Sequence, residues 1–295
     1  MSEKNLNAPQ EKRHMSLSKK NRISNTIVYI ILILMSIIWL TPFVFIVLQS
    51  FRVENSMQVG YVLPKQWGLD NYKMLFTQTS FLRWYGNTFF ISVVVAALQT
   101  IIQLSMSYTL SRLRFSGRKL LMNFMLVLGL FPGFLTMIVL YTVLKDMNMI
   151  MEHAVPGLIL VYVASSGMGY YVSKGFFDTI PKALDEAARI DGATRFQVFY
   201  KVIMPLSKPI VIYTLLTAFL GPWGDFAFAR YISNFNSAGM NAAVGLWSWL
   251  QKDTISQRYT LFCAGGVIVA IPVTLLFIFL QKYYVEGVTG GAVKG

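Results

Sequence analysis

Between residues 186 and 209 the chain reads EAARIDGATRFQVFYKVIMPLSKP, and the reading of this stretch decides the fold. It carries six charged side chains, Glu186, Arg189, Asp191, Arg195, Lys201 and Lys208, yet long apolar runs flank it on both sides. Pro181, just upstream, suits the first turn of a helix, where a missing N–H costs nothing. Leu184, Ala187 and Ala188 then fall at helical spacing. Gly192 stands where a helix is expected to end in a left-handed cap. Thr194 and Gln197 match the S/T-x-x-E/Q pattern that starts a new helix. Phe196, Phe199, Tyr200 and Ile203 predict its apolar stripe. Pro205 interrupts this second helix and Pro209 opens the next apolar segment. The hairpin, residues 181–205, is therefore expected to be two short amphipathic helices meeting at a sharp corner. Ten residues of helix rise about 15 Å, too little to cross a membrane. A basic amphipathic loop ordinarily lies on lipid headgroups. The first helix here is Ala-rich and acid-bearing, which suits close approach of another protein's backbone instead.

Outward from the hairpin, the composition is that of a membrane protein. Of 295 residues, 55% are hydrophobic and 13% charged, against about 25% charged in soluble domains. Uncharged windows at 23–51, 84–111, 120–144, 154–173, 209–229 (broken by Asp225) and 259–281 each reach 20 residues or more. About 20 apolar residues of helix cross the hydrocarbon core. The expectation is an all-α membrane protein with six spans, at about 26–48, 87–110, 120–144, 154–174, 209–231 and 260–282. A tail (1–24) precedes a transmembrane domain (25–295) that ends in a second tail (283–295). The run Ile27–Leu48 is longer than the about 7–15 residues of a signal peptide's apolar region and no A-x-A site follows, so it reads as an anchor. Lys and Arg number 18 in the tails and the loops 112–119 and 174–208, and 8 in the opposite connections. That asymmetry puts both termini and the hairpin in the cytoplasm. The net charge of +13 sits in short juxtamembrane clusters such as SRLRFSGRK. Anionic membrane lipid, not nucleic acid, is the partner this pattern implies. Cys263 is the lone cysteine and lies inside the sixth span, so no intrachain disulfide forms.

Chemistry-bearing motifs are scarce. No G-x-x-x-x-G-K-[ST] phosphate loop occurs, so the chain has no nucleotide site of this kind. His14 and His153 fall on opposite sides of the membrane and share no metal. Asp225, in GPWGDFAFAR, is the ionisable group left inside a span, and such a group is a functional candidate by default. It lines a transport path, caps the N–H groups freed where Gly221, Pro222 and Gly224 break the helix, or does both. Trp223, Phe226, Phe228 and Tyr231 are candidates to line that path with their rings, although aromatics in membranes more often pack helices. Gly129 and Gly133 form a G-x-x-x-G pattern, but Pro132 inside it predicts a kink. The outward connections 49–85 and 230–258 are long and rich in aromatics, as functional loops are.

The residues Glu186-Ala187-Ala188, Gly192 and Pro205 resemble the EAA loop of ABC-importer permeases, E-A-A-x3-G-x9-I-x-L-P. Here Met204 stands in the penultimate position, and the apolar position is Val202 or is displaced to Ile203. NTFF…SYTLSRLRFSGRK (87–119), FPGFL (131–135), KGFFDTIPKALDEAARIDGA (174–193), GPWGDFAFAR (221–230) and GVTGGAVKG (287–295) are similar to the maltose-type carbohydrate permeases, and in particular to their second permease subunit. The resemblance implies a type I importer permease in a bacterial plasma membrane, serving oligosaccharides and most of all malto-oligosaccharides. Galacto-oligosaccharide, raffinose-type or alginate-type cargo is the alternative, with a stand-alone ion-coupled transporter or an assembly scaffold as readings from other classes. It implies a coupling helix formed by Leu184, Glu186, Ala187, Ala188, Asp191 and Gly192, followed by Pro205, that docks on an ATPase. It also implies a homologous second permease, two ATPase copies that hold ATP and magnesium, and an extracellular substrate-binding protein. That protein would meet the loop 233–253 with Trp247 and Trp249. The tail residues Gly290, Gly291, Lys294 and Gly295 would lie between the ATPases.

Overall fold

The computed structural model describes residues 8–54, 61, 63–165 and 169–289. Among them the chain is helical, with one isolated antiparallel bridge, between Arg52 and Trp67, and no strand. The first helix, α1 (Ala8–Ser50), runs without a break across residue 24. Its large apolar side chains from Ile27 to Val44 are half-exposed or more. A patch of that size is untenable in water and ordinary against lipid. After the short α2 (Asp70–Thr77) comes α3 (Phe81–Arg112), which starts six residues before the expected 87. The charge on Arg83 closes the uncharged window in the sequence, but the helix carries Arg83 on its exposed side while Phe81 and Trp84 turn inward.

The span expected at 120–144 is two helices, α4 (Arg118–Gly129) and α5 (Gly133–Asp146), which meet at 97°. Pro132 stands immediately before α5 and its carbonyl accepts from Leu135 N–H. The kink expected at this proline is therefore a full break. Helices α6 (Ala154–Ala164) and α7 (Tyr170–Thr179) follow, with residues 166–168 outside the described set. The hairpin comprises α8 (Ala183–Ile190), α9 (Arg195–Gln197), a π turn (Val198–Ile203) and α10 (Met204–Leu206). The span expected at 209–231 divides at Asp225 into α11 (Lys208–Gly224) and α12 (Ala227–Ser233). The outward loop carries α13 (Ala242–Ser248), and α14 (Ile255–Thr289) closes the described chain.

Three segments are long and apolar enough to cross a membrane singly: Asn25–Ser50, Phe81–Arg112 and Ile255–Lys282. Two bent pairs, α4 with α5 and Arg195–Leu206 with α11, qualify together, and Met151–Ala164 is a shorter apolar helix.

Helix α3 is the centre of the bundle. It packs against α11, α7, α6 and α13, while α14 packs against α11, α1 and α2. One apolar cluster, including Phe81, Trp84, Leu158, Ile232 and Trp249, fills the end of α3 nearest the loop with α13. A second, of Leu104, Tyr108, Phe177, Val198, Ile203 and Ile210, fills the end nearest the hairpin. Between them a polar staple ties three helices. Gln103 Nε2 donates to Gly169 O (3.0 Å) and to Ser173 Oγ (3.0 Å), Ser107 Oγ donates to Tyr170 O (3.1 Å), and Ser173 shares a 3.3 Å bond with Thr214. In a bilayer core without water, these buried polar side chains find their partners in one another and in backbone carbonyls of the neighbouring helix.

Candidate functional site

The corner of the hairpin is built by local hydrogen bonds. Asp185 and Glu186 stand in the first turn of α8 and Arg189 in its last, the charge order a helix dipole favours. At its end Gly192 N donates to Arg189 O (3.1 Å) and Ala193 N to Ala188 O (3.0 Å), with Gly192 at φ +84°. This pair of bonds is the Schellman motif, and its left-handed residue is best filled by glycine. A Cβ on Gly192 meets nothing within 4 Å, so the glycine is required by its backbone angle alone. Two residues later Thr194 N donates to Gln197 Oε1 (2.7 Å) and Gln197 N to Thr194 Oγ1 (3.3 Å). The capping box expected from the sequence is present, and the two helices meet where Gly192 and Thr194 put them.

The apolar stripe of the second helix differs from the one expected. Val198 and Ile203 are the buried pair, while Phe196 and Tyr200 point outward and stack on each other at 6.0 Å. The π turn is the reason. Its i→i+5 bonds bring residues five apart onto one side, so Val198 and Ile203 enter the core together. Phe199 stays partly buried with its ring 4.8 Å from Tyr108. Pro205 is exposed in the last turn before the chain bends by 87° into α11.

Of the residues assigned to a coupling helix, Leu184, Glu186, Ala187, Asp191 and Gly192 are exposed, and Ala188 packs against the cluster below. Sequence reasoning missed Ile190, which is 86% exposed beside them. It also missed which acid faces inward. Asp185, not Glu186, makes a 2.9 Å ion pair with Arg112, the last residue of α3, and both side chains are largely buried. Arg112 Nη2 further donates to Ile180 O (2.9 Å), fixing the approach to α8. Burial lifts the Asp185 carboxyl above the ordinary carboxylate range, against the pull of Arg112. Nearby, burial also pushes Asp178 up, but hydrogen bonds from Lys174 and Ser111 and the charges of Lys174 and Arg118 outweigh it and hold that carboxyl low.

At the break between α11 and α12, Asp225 is a cap. Its carboxylate accepts from Phe228 N (3.1 Å), from Ala229 N (3.2 Å) and from the hydroxyl of Tyr162. Asn241 Nδ2 donates to Asp225 O (2.7 Å) and Pro222 O (3.3 Å), while its Oδ1 accepts from Val244 N (3.0 Å) to start α13. Sequence reasoning found neither Tyr162 nor Asn241. Asn241 was legible as an N-cap before a run of helix formers; Tyr162, in an apolar window, gave no signal. Trp223 and Phe228 are buried, Trp223 edge-on to Tyr85 at 5.4 Å. Phe226 lies 5.1 Å from Trp247, and Tyr231 is 40% exposed, 4.8 Å from Tyr141.

The loop joining α12 to α14 is anchored on α3. Asn87 Nδ2 donates to Ala238 O (2.9 Å) and Met240 O (2.8 Å), Trp84 Nε1 to Ser237 Oγ (3.2 Å), and Ala242 N to Thr88 Oγ1 (2.7 Å). Trp249 is buried against Trp84 at 5.4 Å, so it supports the loop from within, and Trp247, 46% exposed, is the member of the pair that offers surface. Gly290, Gly291, Lys294 and Gly295 lie outside the described residues. Among the described residues no group of three or more His, Cys, Asp or Glu is placed to hold a metal.

Residues 102–290 match the family model of the binding-protein-dependent transport system inner membrane component. The maltodextrin transport system permease protein of Bacillus subtilis (strain 168) is 34% identical over 282 residues, covering 95% of this chain and 100% of the relative. The galactooligosaccharides transport system permease protein of the same organism is 35% identical over 271 residues, covering 90% and 94%. The maltodextrin permease of Streptococcus pneumoniae (strain ATCC BAA-255 / R6) is 32% identical over 281 residues, covering 95% and 99%. Among solved structures, a bacterial ABC transporter that imports the acidic polysaccharide alginate superposes with a TM-score of 0.75 at 21% identity, covering 90% of this chain and 98% of that one, a likeness of fold.

Proposed function

The chain belongs to the family of binding-protein-dependent transport system inner membrane components, and from that premise we propose that it is a permease subunit of an ATP-driven importer for oligosaccharides. The uncharged windows support six spans, and the charge asymmetry supports both termini and the hairpin in the cytoplasm of a bacterial cell. The observation that carries the reading is the hairpin corner. A Schellman cap and a capping box fix α8 while Leu184, Glu186, Ala187 and Ile190 face away from the protein's own core. A lipid-lying helix needs neither a rigid corner nor an exposed acid. A force-transmitting contact with a soluble ATPase needs both.

ATP and magnesium belong to that partner, present in two copies. A homologous second permease completes the path, and an extracellular binding protein delivers cargo to the loop bearing Trp247. Malto-oligosaccharides are the cargo best supported, by relatives matching nearly the whole chain. The galactooligosaccharide permease at 35% identity supports a second cargo reading. Trp223, Asp225, Phe226, Phe228 and Tyr231 bear on cargo chiefly by shaping the break between α11 and α12. Tyr231 is the exposed ring among them.

Glu186→Lys and Gly192→Val test the coupling role. Both variants should reach the membrane, lose ATPase subunits during purification and lose uptake of labelled maltotriose. Gly192→Val places a β-branched residue at φ +84°, a conformation costing about 1–2 kcal/mol. Full retention of ATPase and uptake by Glu186→Lys overturns the role of that residue. Uptake of labelled galacto-oligosaccharide without uptake of labelled maltotriose decides the cargo against the first reading.

A further inference from the structure

Beside α8 lies a polar cleft of about 430 Å³, and apart from Arg112, Asp185 and Glu186 its charged lining has no role above. Five basic side chains line it, Arg112, Arg114, Lys182, Arg189 and Arg195, against the acids Asp185 and Glu186. Asp185 is committed to Arg112. Arg114, Lys182, Arg189 and Arg195 form no ion pair with a described residue and are exposed. Glu186 alone leaves the four cations with an excess of positive charge that a bound anion would offset, and arginine forks match phosphate oxygens in pairs.

Arg114 also lines a neighbouring hollow of about 480 Å³ walled by Phe115, Leu120 and Met122, with Arg118 and Lys119. Leu120 there is 75% exposed at the start of α4. A cationic cleft joined to an apolar groove, at the turn between two apolar helices, has the two chemistries of one ligand.

We propose that the cleft binds the phosphate headgroup of an anionic phospholipid, with the glycerol and upper acyl chains in the groove of Phe115 and Leu120. The lipid bridges the loop 112–118 and α8, and so braces the hairpin beside its exposed face.

The test uses the delipidated, assembled importer titrated with short-chain phosphatidylglycerol, short-chain phosphatidylcholine and inorganic phosphate, with bound species counted by native mass spectrometry. The titrated lipid reaches every face of the solubilised complex, so the result does not depend on the proposed orientation or cargo. Phosphatidylglycerol should bind in preference to phosphatidylcholine. The double variant Arg114→Gln/Arg195→Gln should weaken it about thirtyfold, the loss of two cations near an anionic surface. Lys73→Gln, on exposed α2, should leave binding unchanged. Because both replaced side chains are exposed and unpaired, the assembled mass of the double variant should equal that of the parent complex. Equal binding of the two lipids, or of phosphatidylglycerol by parent and double variant, overturns the proposal. Inorganic phosphate binding as tightly as the lipid identifies a small-anion site and overturns it too. A cleft filled by the partner ATPase takes up no phosphatidylglycerol in the assembled complex, and that outcome also overturns it.

Discussion

Asp225 illustrates how a charged residue lives inside an apolar segment. Helix α11 runs through Pro222 and ends at Gly224, and a new helix must begin with unbonded N–H groups. The carboxylate meets two of them and takes a third bond from Tyr162. Hydrogen bonds to a charged acceptor contribute about 1.5–3 kcal/mol each, and a buried donor left without its acceptor costs about 1–3 kcal/mol. Asparagine keeps one acceptor oxygen and brings two donors, so one of the three bonds is lost. Asp225→Asn should therefore lower the thermal midpoint of the purified complex and leave insertion intact. Uptake should change by less than about tenfold, with its pH profile unaltered. Tyr162→Phe removes one of the same bonds, and the double variant should destabilise less than the sum of the singles, as expected for residues in direct contact. Uptake that turns strictly pH-independent in Asp225→Asn means the carboxyl titrates during transport, and the capping account then fails.

At the scale of elements, the ion pair of Arg112 and Asp185 joins the end of α3 to the first turn of α8. Removing one member of a buried pair costs about 3–5 kcal/mol, because the other is left charged without compensation. Arg112→Met should loosen the hairpin by that order, read as a drop in thermal midpoint and in ATPase retention. The pH dependence has a definite sign. Asp185 already has its carboxyl raised by burial, and losing Arg112 raises it further. A raised carboxyl favours the folded state below the unfolded value of about 3.9 and loses that advantage as pH rises through the folded value. The deficit of Arg112→Met should shrink as the buffer is made more acid. A deficit independent of pH means the arginine acts by packing and by its bond to Ile180 O alone. The hairpin also shows what a sequence exposes to reading. Gly192, Thr194 and Gln197 were legible because caps are settled within four residues of chain. The burial of Val198 in place of Tyr200 was not, because a π turn is chosen by tertiary packing against Tyr108 and Phe177. Nor could spacing say whether Asp185 or Glu186 turns inward, since both occupy one helical turn and the choice is made by Arg112, distant in sequence.

Across the whole molecule, α3 is the member that reaches both ends. Its 32 residues rise about 48 Å, from the anchored loop at Trp84 and Asn87 to the hairpin at Arg112. Apolar windows located this span but gave no hint that its first turns hold the loop, because the bonds from Asn87 and Thr88 close over more than 150 residues of sequence. The arrangement ties the loop at one end of α3 to α8 at the other, the route that the proposed coupling would take. Gly245 is the closest joint: a Cβ there would stand 2.0 Å from Cε3 of Trp84. Gly245→Ala must push the indole away, at the about 1–3 kcal/mol typical of overpacking. It should reduce the ATPase stimulation produced by cargo-loaded binding protein while basal ATPase persists. Trp247→Ala, which alters exposed surface, should instead weaken binding-protein affinity and leave saturated stimulation unchanged. Parallel loss of basal and stimulated turnover in Gly245→Ala means the contact only holds the fold together. Loss of stimulation at saturating binding protein, with α8 still bound to its ATPase, is the outcome that coupling through α3 requires.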